Sequence, residues 1–246
     1  MEKPLKNKTC LITGATSGIG RSAAIKLSLM GANIVFIARN KEKAKALSEE
    51  INSLCGSKPT EIIADLSSQK EIKNAAEEFL KLQEPLHILL NNAGIVNNKR
   101  KESIDGFEEV FAVNHLAYFA LTLRLLERLK ENSPSRIVNV SSAAHKFIKN
   151  MNWDDFQFKA NYKTFLVYGQ SKLANILFTK KLSKLVEQHG VTVNCLHPGW
   201  VSTSLGTQNE KGSRSLLGGL ISLFSPLMAK SSEKGAETSI YLCSAE

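Results

Sequence analysis

A glycine-rich stretch near the start of the chain constrains its fold more than any other feature. The stretch Thr13-Gly-Ala-Thr-Ser-Gly-Ile-Gly20 follows the apolar run Cys10-Leu-Ile12 and precedes a segment with helical periodicity. This pattern predicts a strand, a tight turn and a helix whose first N–H groups face an anion. Such a turn can also be only a tight corner, but the flanking strand and helix favour the pyrophosphate of a dinucleotide.

The glycines of this turn have expected roles at a phosphate. Gly14 and Gly18 are expected to adopt backbone angles that other residues avoid and to let the main chain approach the anion. Gly20 is expected to allow close packing of the helix against the strand. The cofactor contacts predicted in the turn are Gly14, Ser17, Gly18, Ile19 and Gly20.

Strand and helix patterns alternate along the chain without a linker or repeat, which predicts one α/β domain over residues 1–246. With 43% apolar and 22% charged residues, the composition excludes the disordered and fibrous classes. The net charge of +9 invites a nucleic-acid function. The basic residues are dispersed and lack a recognition-helix motif, so no nucleic-acid partner is expected.

The N-terminal segment and the cysteines bear on the compartment. Residues 1–8 are polar and basic rather than apolar, which predicts a cytoplasmic protein. The four cysteines stand singly, without the spacing of metal ligands or of a disulfide framework. We therefore expect reduced packing residues and no metal site.

The end of the second predicted strand, residues 33–38, bears on the choice of dinucleotide. An NAD-binding turn places an acidic residue there to hold the ribose 2′-hydroxyl, but this chain has Ala38-Arg-Asn40. A guanidinium without a competing carboxylate favours the 2′-phosphate of NADP. The alternative is that Arg39 is an ordinary surface arginine at a strand end.

Two further predicted strands end in polar or small residues. Asp65 and Leu66 follow the strand at 61–64, and Asp65 either contacts an adenine or caps, with Ser67 and Ser68, a helix that runs to about residue 83. The apolar strand at 86–90 ends in Asn91-Asn-Ala-Gly94, at the edge of a parallel sheet where ligands bind.

Five further polar residues follow along the chain. Asn114 interrupts the apolar face of a predicted helix at 107–130, either as a satisfied buried amide or as part of a proton relay that holds a water. A strand at 136–142 ends in two serines. On a helix at 164–188, Tyr168 and Lys172 stand four residues apart and share a face. Such a pair is usually an unremarkable surface feature, but here it follows a phosphate turn and a serine-ended strand.

Four further segments complete the chain. Residues 145–163 form a polar, aromatic-containing excursion whose role the sequence leaves open. A sixth strand is predicted at 191–196, followed by the loop His197-Pro-Gly199 and, at 231–245, by a final helix capped by Ser231. The apolar stretch 216–228 is too short to span a bilayer, and we expect it to cover a lipophilic substrate, touch a membrane surface or form a homodimer contact.

Taken together and in this order, these motifs resemble those of the short-chain dehydrogenase/reductase family. The resemblance covers nearly the whole chain and includes Tyr168-Gly-Gln-Ser-Lys172 and His197-Pro-Gly199. Ser171-Lys-Leu-Ala-Asn175 and the run from Val138 to His145 are most similar to the branch that contains retinol dehydrogenases and the oxidoreductase part of WW-domain oxidoreductases.

The resemblance implies a fold and a function. The implied fold is a Rossmann-type, doubly wound parallel sheet in a three-layer αβα arrangement, with strand order 3-2-1-4-5-6. The usual seventh strand is expected to be missing, because the chain ends before its place. The implied function is NADP(H)-dependent interconversion of a carbonyl and an alcohol on a lipophilic small molecule such as a retinoid, a steroid, an aldehyde or a ketone. The alternative is a catalytically idle NADP-binding sensor or scaffold.

The resemblance also implies roles for individual residues. Tyr168 is the expected general acid/base, and Lys172 is expected to stabilise the phenolate together with oxidised nicotinamide and to hold the nicotinamide ribose. Ser142 is expected to bind the substrate oxygen and Asn114 to support a water, while Ser141 points elsewhere. The implied cofactor contacts outside the glycine turn are Arg39, Asp65, Leu66, Asn91, Ala93, Gly94, Tyr168, Lys172, Pro198, Gly199, Val201 and Thr203.

Overall fold

A parallel sheet of six strands forms the centre of a computed structural model that describes residues 3–199 and 231–245. The strand order is β3-β2-β1-β4-β5-β6, which confirms the order implied by the sequence. The strands are β1 (Thr9–Thr13), β2 (Asn33–Ala38), β3 (Thr60–Ile63), β4 (Ile88–Asn91), β5 (Ser135–Val140) and β6 (Val191–Leu196).

Helices connect the strands and cover both faces of the sheet. Four of them follow a residue whose side chain accepts a backbone N–H, namely Asn40, Ser68, Glu108 and Ser231. The predicted cap at Ser231 is therefore confirmed. The helices are α1 (Gly18–Leu29), α2 (Lys41–Cys55), α3 (Gln69–Lys81), α4 (Glu109–Phe111), α5 (Ala117–Glu131), α6 (Thr164–Val186) and α7 (Ser232–Ser244).

Alternating strand residues produce two separate cores. Leu11 of β1 joins the core that α3, α5 and α6 cover, whereas Cys10 and Ile12 join the core under α1, α2 and α7. This division follows from the strand geometry, in which successive side chains point to opposite faces. The result is the predicted three-layer arrangement. Two of the four free cysteines, Cys10 and Cys243, are buried in the second core.

The helix predicted at 107–130 differs from the observed one in two respects. It begins at Glu109, because the buried Glu108 carboxylate accepts the N–H groups of Val110 and Phe111 and so caps the first turn. A π turn at Ala112–Leu116 then separates α4 from α5. The helix α3 also ends at Lys81 rather than near residue 83, since Gln83 has a left-handed φ of 55°.

One helical stretch, Glu109–Glu131, is long and apolar enough to cross a membrane by length and composition alone. Half of its most apolar window is buried inside the fold. Leu121, Leu125 and Leu129 pack against the sheet with α3, as expected for a core helix. Packing on the sheet therefore accounts for the apolar residues of its buried half.

The excursion at 145–163 is packed between the loop before α4 and the start of α6. Arg100 donates through Nε to the carbonyl of Gln157 (3.0 Å), and the Tyr162 hydroxyl donates to the carbonyl of Asn97 (3.0 Å). On the other side, Gln170 of α6 accepts the N–H of Asn152 through Oε1 (2.8 Å). The apolar stretch 216–228, by contrast, lies outside the described residues.

The core under α3 yields a first prediction. Phe79 is fully buried between α3 and the sheet, so Phe79→Ala should lower the free energy of unfolding by about 3–5 kcal/mol through lost burial and a residual cavity. The half-exposed Phe165 of α6 serves as a matched control, and Phe165→Ala should change stability by less than about 1 kcal/mol. Denaturant unfolding measures both, and equal losses would contradict the assignment of the core.

Candidate active site

The glycine turn after β1 has the geometry of an anion cradle. Gly14 and Gly18 have φ values of +66° and +52°, which non-glycine residues rarely adopt. A Cβ on Gly14 would lie 2.7 Å from Cα of Ala93, and one on Gly20 would lie 2.2 Å from the Gly14 carbonyl oxygen. Larger residues are therefore excluded from both positions.

The start of α1 is free of the side-chain caps found on α2, α3 and α7. Ser17 is the N-cap residue but makes no capping hydrogen bond, and the first turn contains no acidic residue. Ile19 packs against the core under α1, α2 and α7 and so anchors this turn to the fold. The first N–H groups and the helix dipole thus remain directed at the carboxyl edge of the sheet, where they fit a pyrophosphate.

Asn92 holds the glycine turn in place, a role that sequence reasoning missed. Its Nδ2 donates to the carbonyl oxygens of Thr13 (3.0 Å) and Gly14 (3.1 Å). The backbone N–H groups of Asn92 and Ala93 both donate to Oγ1 of Thr13 (2.9 and 3.0 Å). The turn after β1 is therefore fastened to the segment after β4.

The neighbouring Asn91, predicted as a cofactor contact, has its side chain inside the protein. It is fully buried and donates to Oγ1 of Thr122 (3.0 Å) and to Oδ1 of Asn139 (2.9 Å). Any contact of Asn91 with a cofactor therefore comes from its main chain. Strand alternation is the signal that distinguishes the two asparagines, because adjacent side chains face opposite ways.

Arg39 and Asp65 face each other where β2 and β3 end. Nη1 of Arg39 lies 3.6 Å from Oδ2 of Asp65, and the arginine side chain is 63% exposed. Asp65 Oδ1 also accepts the N–H of Ser67 (2.8 Å), whereas the cap of α3 is Ser68. Asp65 therefore helps to shape the turn before the helix, and its contact with an adenine stays a prediction. The adjacent Leu66 is buried in the core of the α3 face.

The four predicted catalytic residues come together from separate segments. Lys172 donates through Nζ to the carbonyl of Val140 (3.0 Å), at the end of β5, and its Nζ lies 5.8 Å from the ring centroid of Tyr168. The Ser142 side chain is close enough to the Tyr168 hydroxyl to lower its pKa. A Cβ on Gly94 would lie 3.5 Å from both Lys172 Nζ and Asn114 Oδ1.

Asn114 lies in the π turn, and the protein uses its whole side chain. Oδ1 accepts the N–H of Ile95 (2.8 Å), while Nδ2 donates to the carbonyl of Ile95 (3.1 Å) and to Oγ of Ser171 (3.1 Å). Asn114 is therefore a satisfied buried amide that joins the segment after β4 to α6. Ser141 has a different partner from Ser142, because its hydroxyl donates to the carbonyl of Lys172 (2.8 Å).

Burial dominates the acid–base properties of the pair on α6. It raises the pKa of Tyr168 above its ordinary value, and the nearby Ser142 side chain opposes that rise. Burial lowers the pKa of Lys172 to about 8, and the thiol of Cys195 opposes that shift. The protein by itself thus keeps the Tyr168 hydroxyl protonated at neutral pH, as a proton donor requires. The stabilisation of a phenolate by oxidised nicotinamide stays a prediction.

Tyr118 of α5 is a second residue that sequence reasoning missed. Its hydroxyl donates to the carbonyl of Ala93 (2.7 Å), and its ring centroid lies 5.4 Å from Nζ of Lys172. It stands four residues after Asn114, so helical periodicity alone places both near one face. Its ring provides a cation–π contact for the buried ammonium of Lys172.

The loop after β6 carries the last predicted cofactor contacts. Gly199 has a φ of +80°, and its N–H donates to Nδ1 of His197 (3.3 Å). Pro198 stands between them. Val201 and Thr203, which were predicted to contact the cofactor, lie outside the described residues.

The fold and this edge of the sheet are those of a nucleotide-binding α/β oxidoreductase, and comparisons with known proteins agree. The family model for short chain dehydrogenases matches residues 8–214, so the chain belongs to that family. It is 41% identical to retinol dehydrogenase 12 of Mus musculus, over 98% of this chain and 75% of the relative. It is 38% identical to retinol dehydrogenase 13 of Homo sapiens, over 98% and 73%.

The fold is also shared with solved structures of low sequence identity. L-Sorbose reductase from Gluconobacter frateurii, solved with NADPH and L-sorbose, superposes with a TM-score of 0.77 at 22% identity. The match covers 100% of this chain and 92% of that protein.

The link between the two turns yields a second prediction. Asn92→Ala removes both hydrogen bonds to the glycine turn, at about 1 kcal/mol each, so we expect NADPH to bind up to about 30-fold more weakly. Asn98→Ala, in the same loop but exposed, should leave the dissociation constant unchanged. Fluorescence titration with NADPH measures both variants. Equal affinities would show that Asn92 does not support the turn.

Proposed function

We propose that the protein is an NADP(H)-dependent oxidoreductase that interconverts a carbonyl and an alcohol on a lipophilic small molecule. The observation that supports this most directly is the convergence of Ser142, Tyr168 and Lys172 beside the segment that fastens the glycine turn. A proton donor and an anion cradle then lie at the same edge of the sheet, as carbonyl reduction requires.

The residues have distinct proposed roles. Tyr168, protonated at neutral pH, donates its proton to the carbonyl oxygen of the substrate. Ser142, whose side chain acts on the pKa of that hydroxyl, orients the same oxygen. Lys172 supplies a positive charge beside the phenol and holds a ribose, and Asn114 fixes the main chain around them. A bound nicotinamide supplies the hydride.

The proposed preference for NADP(H) rests on the end of β2. Arg39 is exposed there and no acidic residue replaces Ala38, so a 2′-phosphate would meet a guanidinium. Asp65, 3.6 Å away, competes for the same guanidinium, and this competition limits the size of the preference. L-Sorbose reductase, which shares the fold, was solved with NADPH.

A lipophilic substrate is proposed on two grounds. The most similar relatives reported above carry the name retinol dehydrogenase. In addition, the excursion at 145–163 presents Phe147 and Trp153, 65% and 73% exposed, close to the start of α6.

An NADPH-oxidation screen over retinals, steroids, aliphatic aldehydes, quinones and ketones identifies the substrate class. Tight NADPH binding without turnover on any of them would indicate a sensor instead.

The proton donor gives a third prediction. Tyr168→Phe keeps the ring and its packing but removes the transferable proton, so turnover should fall by about 10²–10⁴-fold while NADPH binding stays nearly intact. Tyr241→Phe, on the exposed face of α7, is the matched control and should keep normal turnover. Initial rates on a verified substrate measure both. Near-normal turnover by the Tyr168 variant would refute the mechanism even with the fold and cofactor site correct.

The cofactor preference gives a fourth prediction. Arg39→Ala should weaken NADPH binding about tenfold and leave NADH binding unchanged, because only NADPH carries the 2′-phosphate. Arg124→Ala removes the same charge from the exposed face of α5 and should affect neither. Parallel titrations with the two cofactors test this. A variant that still discriminates as the unmodified chain does would assign the preference to other residues.

A further inference from the structure

Asn175 lies on α6, three residues after Lys172, and is fully buried. Its Nδ2 donates to the carbonyl oxygen of Asn114 (2.8 Å), and its Oδ1 lies 2.9 Å from Nδ1 of His115. One side-chain amide thus holds two consecutive residues of the π turn. It has no role in the proposed chemistry so far.

The chemistry of the groups fixes the direction of these bonds. Since Asn175 uses Nδ2 as the donor to Asn114, its Oδ1 must accept, and the proton of His115 is therefore assigned to Nδ1. Burial lowers the pKa of His115, and the hydrogen bond to Asn175 raises it in part. The positive charge of Lys172 lowers it further. His115 is consequently neutral at pH 7 and able to donate from that nitrogen.

We call the two hydrogen bonds of the Asn175 side chain, to Asn114 and His115, the clamp. A second contact from the same helix supports it. Nδ2 of Asn114 donates to Oγ of Ser171, and that hydroxyl donates to the carbonyl of Tyr168 (2.7 Å). Ser171 therefore holds the side chain of Asn114, while Asn175 holds its main chain. The π turn is fixed to the helix that carries Tyr168 and Lys172 from both directions.

Asn175 is itself anchored to the sheet. Its carbonyl accepts the hydroxyl of Thr179 (2.7 Å), and Oγ1 of Thr179 accepts Nδ2 of Asn139 (2.9 Å) from β5. Asn139 in turn accepts Nδ2 of Asn91 from β4. A continuous chain of buried hydrogen bonds therefore runs from the middle of the sheet to the π turn.

We propose that Asn175 is a positioning residue, whose amide fixes Asn114 and His115 against α6 and so sets the separation of Asn114, Tyr168 and Lys172. The proposal rests on the proposed function for its kinetic consequences, but not for its structural ones. π turns are rare and frequently lie at functional sites, which indicates that contacts from outside the helix stabilise them. The donor from Asn175 provides such support.

The first test replaces the amide by a side chain of similar shape. In Asn175→Leu, kcat on a verified carbonyl should fall about 10- to 100-fold, while the dissociation constant of NADPH changes less than about twofold. The control is Ser135→Ala, which loses one buried hydrogen bond, to the carbonyl of Leu129, at the far edge of the sheet. It should lower the melting temperature to a similar extent and keep kcat. If Asn175→Leu also keeps kcat, the residue is only structural and the proposal is wrong.

A second measurement does not depend on turnover. The N–H of Ile95 donates to Oδ1 of Asn114, so release of the π turn should speed hydrogen exchange at Ile95 and at Ala112–Leu116 in Asn175→Leu, but not in Ser135→Ala. Unchanged exchange overturns the proposal. If the unmodified chain turns over no carbonyl, that result counts against the proposed function only. Hydrogen exchange in the variants still tests the role of Asn175, because it does not require turnover.

A milder variant covers the case in which Asn175→Leu does not fold. His115→Phe keeps the ring among Phe111, Phe119 and Phe178 but removes the donor to Oδ1 of Asn175. It should lower kcat severalfold and speed exchange at Ile95. Where both variants fold, the double variant should be no slower than Asn175→Leu alone, because both act on one clamp. Additive losses, or unchanged kcat and exchange in His115→Phe, would contradict it.

Discussion

The close approach of two backbone turns, one after β1 and one after β4, is the constraint on which the site depends. Gly14 has no room for a Cβ beside Ala93, and Asn92 fastens the two turns through the carbonyls of Thr13 and Gly14. In a parallel sheet of this order, β1 and β4 are neighbours whose connections leave in opposite directions. A crevice opens at that point, and ligands of such sheets bind there.

The second constraint is the burial of a lysine. A buried ammonium is costly unless its donors are satisfied, and Lys172 has the carbonyl of Val140 and the ring of Tyr118 close by. Burial also lowers the pKa of Lys172 and raises that of Tyr168, so it moves the two values apart. The same desolvation that penalises the fold therefore keeps the Tyr168 hydroxyl protonated at neutral pH.

Much of this could be predicted from the sequence, because the responsible signals are local. The periodicity of apolar residues located all six strands and most helices, and the serine at 231 correctly predicted a helix cap. The π turn could not be predicted, since its hydrogen bonds to α6, such as the one that Asn175 donates to Asn114, form only in the folded protein. Strand alternation, which distinguishes the buried side chain of Asn91 from that of Asn92 at the glycine turn, is a signal that the sequence analysis did not use.

The sequence by itself determined the class of fold, the family and the identities of the four residues proposed for chemistry, because these depend on residue types at fixed spacings. Only the tertiary structure decided how they are used. In the folded protein, Asp65 pairs with Arg39 and accepts a hydrogen bond in the turn before α3, while the Asn91 side chain lies inside the protein. The side chain of Asn92 donates to the glycine turn. The physical reason is that these are hydrogen bonds between segments distant in sequence, and their partners are defined by packing rather than by local propensity.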